Sequence, residues 1–331
     1  MELLADFLAS DFLGKSVGLW LAFLVVVGAL LAFDLGVLHR KDKELGIAES
    51  LILSAFYIAV AVLFGVWLWW SMGPTQGIEY FTGYALEKAL SIDNVFVISL
   101  IFGYFAIPAR YQYRALLWGI IAVLVLRGIM IGLGAALVQQ YEWVLYIFGV
   151  FLIGTGIKIL VVGEGESDVS KNPIVRFLSR RMRVSTELHG SHFFVRKADP
   201  ETGRLVRFAT PLFLALVMIN IADLVFAVDS VPAIFAITTD TYIVYTANIM
   251  AILGLRALYF ALAAMVHRFE YLKYALAIVL VFIGAKIFWN QIVGKVDPAI
   301  SLGVTLSIIA LGVLFSLWKT RTDTRHGAEK I

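Results

Sequence analysis

The stretch Asp223-Leu-Val-Phe-Ala-Val-Asp229-Ser230 lies inside an apolar run from Phe208 to Ile237. A run of that length is read as a membrane-crossing helix. An echo occurs earlier: Glu87-Lys-Ala-Leu-Ser-Ile-Asp93-Asn94, within a second apolar run from about Glu79 to Phe105. In both, two carboxylates stand six residues apart and a small polar residue follows the second. Each ionised carboxylate near a bilayer centre costs roughly 2.5–3.5 kcal/mol, so four cost roughly 10–14 kcal/mol. That rivals the whole net stability of a typical domain, about 5–15 kcal/mol. Such groups persist where they are paired or useful, and the pattern reads as an ion site.

Outward from these stretches the composition agrees. The 331 residues are 61% hydrophobic and 14% aromatic, only 15% are charged, and the mean hydropathy is +0.88. A soluble domain carries about a quarter charged residues. The fold class expected is an all-α polytopic membrane protein, a single transmembrane domain over 1–331. Nine spans are expected, near 17–37, 47–70, 79–105, 115–138, 143–163, 208–237, 242–266, 274–290 and 299–318. Of the 27 Lys and Arg, 20 fall in loops on one side, whereas the other side holds only Lys15 and Lys295. The excess marks the cytoplasmic side, which puts the N-terminus outside and the C-terminus inside. The acidic start of the chain (Glu2, Asp6, Asp11) lacks a basic n-region, so the first apolar segment is expected to stay in the membrane. Cysteine is absent, which excludes disulfides, thiolate metal sites and thiol redox chemistry. Trp67, Trp69 and Trp70 form an aromatic belt, and Gly73-Pro74 a short turn.

The one long polar segment, 164–207, is expected to be cytoplasmic. Its part from Pro173 to Val184 alternates apolar residues with Arg176, Arg180, Arg181 and Arg183, the pattern of a basic amphipathic helix on an anionic leaflet. From His192 to Arg207 the pattern reads as a short β-hairpin turning at 199–203. The segment reads first as a solvated connector that fixes topology, with regulation as the alternative.

The two acidic stretches belong to a repeat. Glu87 and Asp93 map onto Asp223 and Asp229 at an offset of 136, and Leu126-Arg127 maps onto Leu255-Arg256 at 129. Tyr141-Glu142-Trp143 maps onto Phe269-Glu270-Tyr271, and Gly156-Ile-Lys158 onto Gly284-Ala-Lys286, both at 128. Repeat 1 covers 79–163 and repeat 2 covers 208–290. Three spans per unit, an odd number, invert the second copy, as in many secondary transporters. Pro232, just after Asp229, marks an expected helix break.

Residues six apart on an unbroken helix are rotated by about 240°. Local unwinding must therefore gather each acidic pair, or one member alone is a ligand. Asp93 and Asp229 are expected at the centre, with neutral oxygens from Asn94 and Ser230 beside them. Glu87 and Asp223 are companions, and Asn220 shares a face with Asp223. Carboxylate, amide and hydroxyl oxygens suit a hard divalent cation such as Mn2+, Mg2+ or Ca2+. Oxygen ligands do not exclude Zn2+, although none of the five histidines lies within a span. Arg127, Arg256, Lys158, Lys286 and Lys88 are the bases in or near spans, with pairing or snorkelling as their expected role. Asp34, at the end of span 1, reads as an interfacial charge, with an accessory site role as the alternative. The frequent glycines of spans 4, 5 and 8 read as close helix packing.

At these residues the chain closely resembles the TerC family of integral membrane proteins, and within it the Alx-like members. The resemblance is carried by Glu87 to Asn94, by Ala209-Thr-Pro-Leu-Phe213, by Asp223 to Thr238 and by Gly254-Leu-Arg-Ala-Leu-Tyr259. It extends from span 1 through span 9. It implies a bacterial inner-membrane protein linked to Mn2+ export, to an alkaline-pH response and to tellurite resistance. The family's acidic residues carry over to Asp93 and Asp229, with Glu87 and Asp223 beside them. An acidic cluster gives tellurite, an oxyanion, no evident place.

The function expected is secondary transport: export of Mn2+ through a midplane acidic site, with proton exchange through the same carboxylates. No tightly bound cofactor and no nucleic-acid partner are expected. The alternative is a membrane scaffold or stress-response protein acting through partners held by 164–207. Enzyme chemistry is the weakest reading, because no nucleophile arrangement, phosphate loop or zinc-protease signature is present.

Overall fold

Pro74 and Pro211 each open a long helix, because a proline at the first helical position gives up an N–H that has no partner anyway. The computed structural model describes residues 2–36, 46–141, 143–162, 183–185, 187–198, 204–263 and 271–328. A short helix α1 (Glu2–Ala9) and two paired two-residue strands, β1 (Asp11–Phe12) and β2 (Lys15–Ser16), lead into the bundle. There follow α2 (Val17–Gly36), α3 (Ile47–Met72), α4 (Pro74–Tyr104), α5 (Ala109–Gln140) and α6 (Val144–Val162). After a hairpin of β3 (Phe194–Ala198) and β4 (Leu205–Ala209) come α7 (Pro211–Phe235), α8 (Thr241–Leu253) and α9 (Leu255–Leu262). The last helices are α10 (Leu272–Ile292) and α11 (Pro298–Ala328).

The chain is therefore an all-α, polytopic membrane protein with only small sheets. Among the described residues eight helical stretches are long and apolar enough to cross a bilayer, with α8 and α9 counted as one. The ninth expected span is α4. Its 31 residues would extend about 46 Å, but Glu79, Glu87, Lys88 and Asp93 interrupt its apolar run. Large apolar side chains such as Val25, Ile52, Leu63, Leu133 and Val161 stand exposed around the bundle, as expected where the surrounding solvent is lipid.

Local chemistry sets the helix ends. Gly73, at φ +111°, takes a left-handed turn that a residue with a Cβ rarely adopts, and so lets α3 fold back as α4. The Thr210 hydroxyl caps α7 by accepting from the Phe213 N–H. Asp240 caps α8 by accepting from the Tyr242 and Ile243 N–H groups, and it also pairs with Lys15 at 2.9 Å.

The packing interleaves the two expected repeat units. From repeat 1, α4 packs on α8 and α5 packs on α7; α6 and α10 lie along each other. The last pair approaches closely because of glycines. A Cβ on Gly156 would stand 2.6 Å from the Ala277 carbonyl, and one on Gly284 2.8 Å from the Gly149 carbonyl. On the outside, α3 packs against α4 and α9, and α11 packs against α10 and α4.

The breaks differ from those expected. Helix α7 continues through Pro232 to Phe235, and α4 runs unbroken past Ser91 and Asp93. Pro232 lies in the last turn of α7, where the missing N–H costs one hydrogen bond without ending the helix. The interruption is instead at Gly254, between α8 and α9. There the Lys88 ammonium donates to the Ala251 carbonyl at 3.3 Å, answering one of the acceptors that a helix end leaves open. A Cβ on Gly254 would stand 2.8 Å from that nitrogen.

The expected hairpin is present as β3 and β4, antiparallel, with Phe194 opposite Ala209 and Ala198 opposite Leu205. Several contacts tie it to the bundle. Arg114 of α5 donates to Ser191, Thr210 donates to the His192 carbonyl, and the Phe194 and Phe213 rings lie 4.5 Å apart. The expected amphipathic helix (173–184) lies outside the described residues except for its last two, and the hairpin turn 199–203 lies outside them as well.

A buried carboxylate–arginine site

The buried stripe of α5 includes Ile120, Val123, Arg127 and Ile131, so a guanidinium occupies a position that an apolar side chain would otherwise fill. On α4 the buried face runs Tyr84, Glu87, Ser91, Asn94 and Ile98, and on α7 it runs Ile219, Asp223, Ala227 and Ser230. Three- and four-residue spacing puts each polar group on the face its helix turns inward. Arg127, Glu87 and Asp223 are 1%, 2% and 7% exposed.

They meet. Arg127 grips Asp223 through two parallel bonds, Nε to Oδ2 and Nη2 to Oδ1, each 3.1 Å. Its Nη1 donates to Glu87 Oε2 at 3.1 Å and to the Ser230 hydroxyl at 2.9 Å. The other Glu87 oxygen accepts from Asn248 Nδ2 at 2.8 Å. One cation thus serves two carboxylates, one from each expected repeat unit. Each of their four oxygens accepts a charge-assisted hydrogen bond, which helps keep such ions tolerable in an apolar interior.

The residue expected to match Arg127 in the repeat has a different partner. Arg256 of α9, 1% exposed, pairs with Asp34 of α2, and its guanidinium stacks on Tyr113 at 4.3 Å from the ring centroid. Asp34 is 3% exposed. The interfacial reading of Asp34 is therefore corrected: packing of α2 on the bundle buries this end of the helix, and the carboxylate is held by a buried guanidinium.

The remaining expected residues are dispersed. Asp229 turns toward α6, where the Thr155 hydroxyl donates to it at 3.4 Å. Because α7 is unbroken, Asp223 and Asp229 face different neighbours, and the carboxylates brought together are the expected companions, Glu87 and Asp223. The side chain of Asp93 lies outside those described. Asn220 donates to the Leu216 carbonyl one turn back. Lys286 donates to Ser301 at 3.2 Å, and Lys158 is exposed on α6. Among the described residues no three of Asp, Glu and His converge on a point. The two carboxylates that do meet, Glu87 and Asp223, meet over Arg127.

A cavity leads to that point. It is lined by Asn94 and Ile98 of α4, Gly119 and Ile120 of α5, Ile219 and Phe226 of α7, and Leu255 and Arg256 of α9, and it reaches Asp223. Asn94 Oδ1 is buried and accepts no hydrogen bond among the described residues. Away from the membrane helices, Lys197 donates to Glu187 at 3.1 Å, and this bond with its positive charge holds the Glu187 carboxyl below its usual range.

The comparisons with known proteins agree with the motifs. The family model described as Integral membrane protein TerC family matches residues 72–324, three quarters of the chain. The chain belongs to the TerC family. Among similar TerC-type proteins, an uncharacterized membrane protein of Rickettsia bellii (strain RML369-C) is 45% identical over 298 residues, covering 90% of this chain and 96% of the relative. One of Myxococcus xanthus is 44% identical over 306 residues, covering 92% and 94%. A candidate membrane-bound redox modulator named Alx, from Escherichia coli O157:H7, is 41% identical over 322 residues, covering 95% and 97%. No solved structure matches the chain at a significant level.

Three participants escaped the sequence reading of this TerC chain. Asn248 is an amide in the middle of an apolar span, and the cost argument applied to the acids would have singled it out. Tyr113 and Thr155 carried no signal, because a tyrosine or a threonine in a membrane helix is unremarkable without its partner.

Proposed function

We propose that this TerC protein is a secondary transporter that exports a divalent cation, Mn2+ first, through Glu87 and Asp223, with the N-terminus outside and the C-terminus in the cytoplasm. The observation that carries the reading is the buried meeting of two carboxylates from the two repeat units over a single arginine. Ion pairing alone needs one carboxylate per arginine; the second leaves negative charge in the interior of the bundle. A divalent cation brings twice the charge of a guanidinium and favours oxygen ligands, so it competes with Arg127 for both carboxylates. Ser230, Asn94 and Asn248 supply neutral oxygens nearby. Protons moving through the same carboxylates would couple the export to a pH gradient. The redox role in the name of the Alx relatives does not come over as thiol chemistry, since this chain has no cysteine.

Cells sensitised to Mn2+ provide the test. Wild type should restore tolerance, whereas Glu87→Gln and Asp223→Asn, at equal abundance in the membrane, should not. Unchanged tolerance in both variants would remove these carboxylates from the function.

A further inference from the structure

The two repeat units carry matching residues in unlike states, and the difference falls on one pair of polar atoms. Arg127 donates to Glu87, to Asp223 and to Ser230. At the repeat offsets of 136 and 129 the mates of Arg127 and Ser230 are Arg256 and Asn94. Both line the cavity that reaches Asp223. There Nε and Nη1 of Arg256 find no acceptor and Asn94 Oδ1 finds no donor among the described residues. Buried polar groups of this kind are costly when unmatched. The bond made on one side of the site is thus unmade on the other, with both of its partners in place.

The cavity differs between the two halves by a smaller margin. Ile98 and Ile120 line it, 5% and 6% exposed within packed clusters of their own, and their mates Ile234 and Ile249 are 1% and 0% exposed in theirs. Units related by an inverted two-fold can exchange conformations, which turns a cavity on one side of the site into one on the other.

We propose that Arg256 and Asn94 form a second, latent clasp. In the oppositely facing state Arg256 leaves Asp34 and holds Glu87, Asp223 and Asn94 as Arg127 now holds Glu87, Asp223 and Ser230. A cavity then opens at Ile234 and Ile249. Asp34 and Tyr113 are the dock that keeps Arg256 off the carboxylates in the present state, and the cation passes between two exchanging arginines. Asp34, Asn94 and Arg256 are positioning residues in this scheme, which rests on the transport reading above.

The chain's lack of cysteine makes the test direct. Single cysteines at Ile120 (Ile120→Cys) and Ile249 (Ile249→Cys) are labelled with a small water-soluble methanethiosulfonate in purified, metal-free protein. Asp34→Asn undocks Arg256 and should raise labelling at position 249 by about tenfold while lowering it at 120. In metal-free protein Asn94→Ala removes an acceptor of the latent clasp that makes no bond in the present state, and should shift the two rates the other way. Rates that stay unchanged, or that move together, in both variants would overturn the exchange. If Asp34→Asn does not fold, Asn94→Ala decides alone: a fall at 249 supports the proposal and no change overturns it. Labelling needs no metal, so reciprocal labelling without Mn2+ flux would refute the transport reading alone. Flux with unresponsive labelling would refute only the exchange.

Discussion

Replacing Arg127 by methionine keeps much of the side-chain length and removes the charge. Four hydrogen bonds disappear at once, two to Asp223, one to Glu87 and one to Ser230. What remains is two carboxylates, 2% and 7% exposed, with no cation to hold them. Removing one partner of a buried ion pair typically costs 3–5 kcal/mol, chiefly because the surviving charge is stranded. Against a stability of about 5–15 kcal/mol this is a large fraction. At about 2 °C per kcal/mol for a chain of this size, Tm in detergent should fall by roughly 6–10 °C. The cause is tested by adding Glu87→Gln and Asp223→Asn to Arg127→Met. Neutral amides carry no stranded charge, so the triple variant should regain most of the loss although it has fewer ionic contacts than the wild type. Thermal melts followed by tryptophan fluorescence separate the cases. A single variant within about 2 °C of wild type, or a triple variant no more stable than the single, would refute the reasoning.

Three further outcomes follow from other parts of the fold. Arg256→Met should destabilise by a comparable amount, and Asp34→Asn on that background should restore stability; additive losses in a double-mutant melt would argue against their pairing. Gly156→Val drives a side chain into the Ala277 carbonyl, so forcing α6 and α10 apart should cost about 1–3 kcal/mol, read as a lower midpoint in denaturant. Lys197→Met removes the donor to Glu187, whose carboxyl should then titrate at higher pH in a carboxyl-resolved NMR titration. Because the folded-state pKa is depressed, this contact stabilises above the unfolded pKa and is lost as pH falls through the folded value; an unmoved titration would contradict it.

Much of this was legible in the sequence because the underlying signals are strong and local. Long apolar runs mark membrane helices, and the alternation from His192 to Arg207 marks a hairpin. The acids stood out because the bilayer makes each one costly, and that cost is independent of any partner. Partners were harder to read. Asp34 sits beside a charged turn, and its burial depends on Arg256, 222 residues later in the chain. The choice between the members of each acidic pair turned on whether α4 and α7 unwind. Pro232 suggested unwinding, but its place in the last turn of α7 leaves the helix intact, so Glu87 and Asp223 meet while Asp229 turns to Thr155. Gly254 gave no sign of a break from composition alone. The lysine that answers the freed carbonyl comes from α4, 163 residues earlier in the chain.

The central claim is that a divalent cation crosses the membrane through the carboxylates that Arg127 now holds. Purified protein in liposomes loaded with a dye quenched by Mn2+ tests it directly, with wild type beside the Glu87→Gln/Asp223→Asn double variant and an imposed pH gradient. The account predicts quenching with wild type, dependent on the gradient and abolished in the double variant. Folded, correctly inserted wild type that carries no Mn2+ in either direction of the gradient, or a double variant that carries it equally well, would contradict the account.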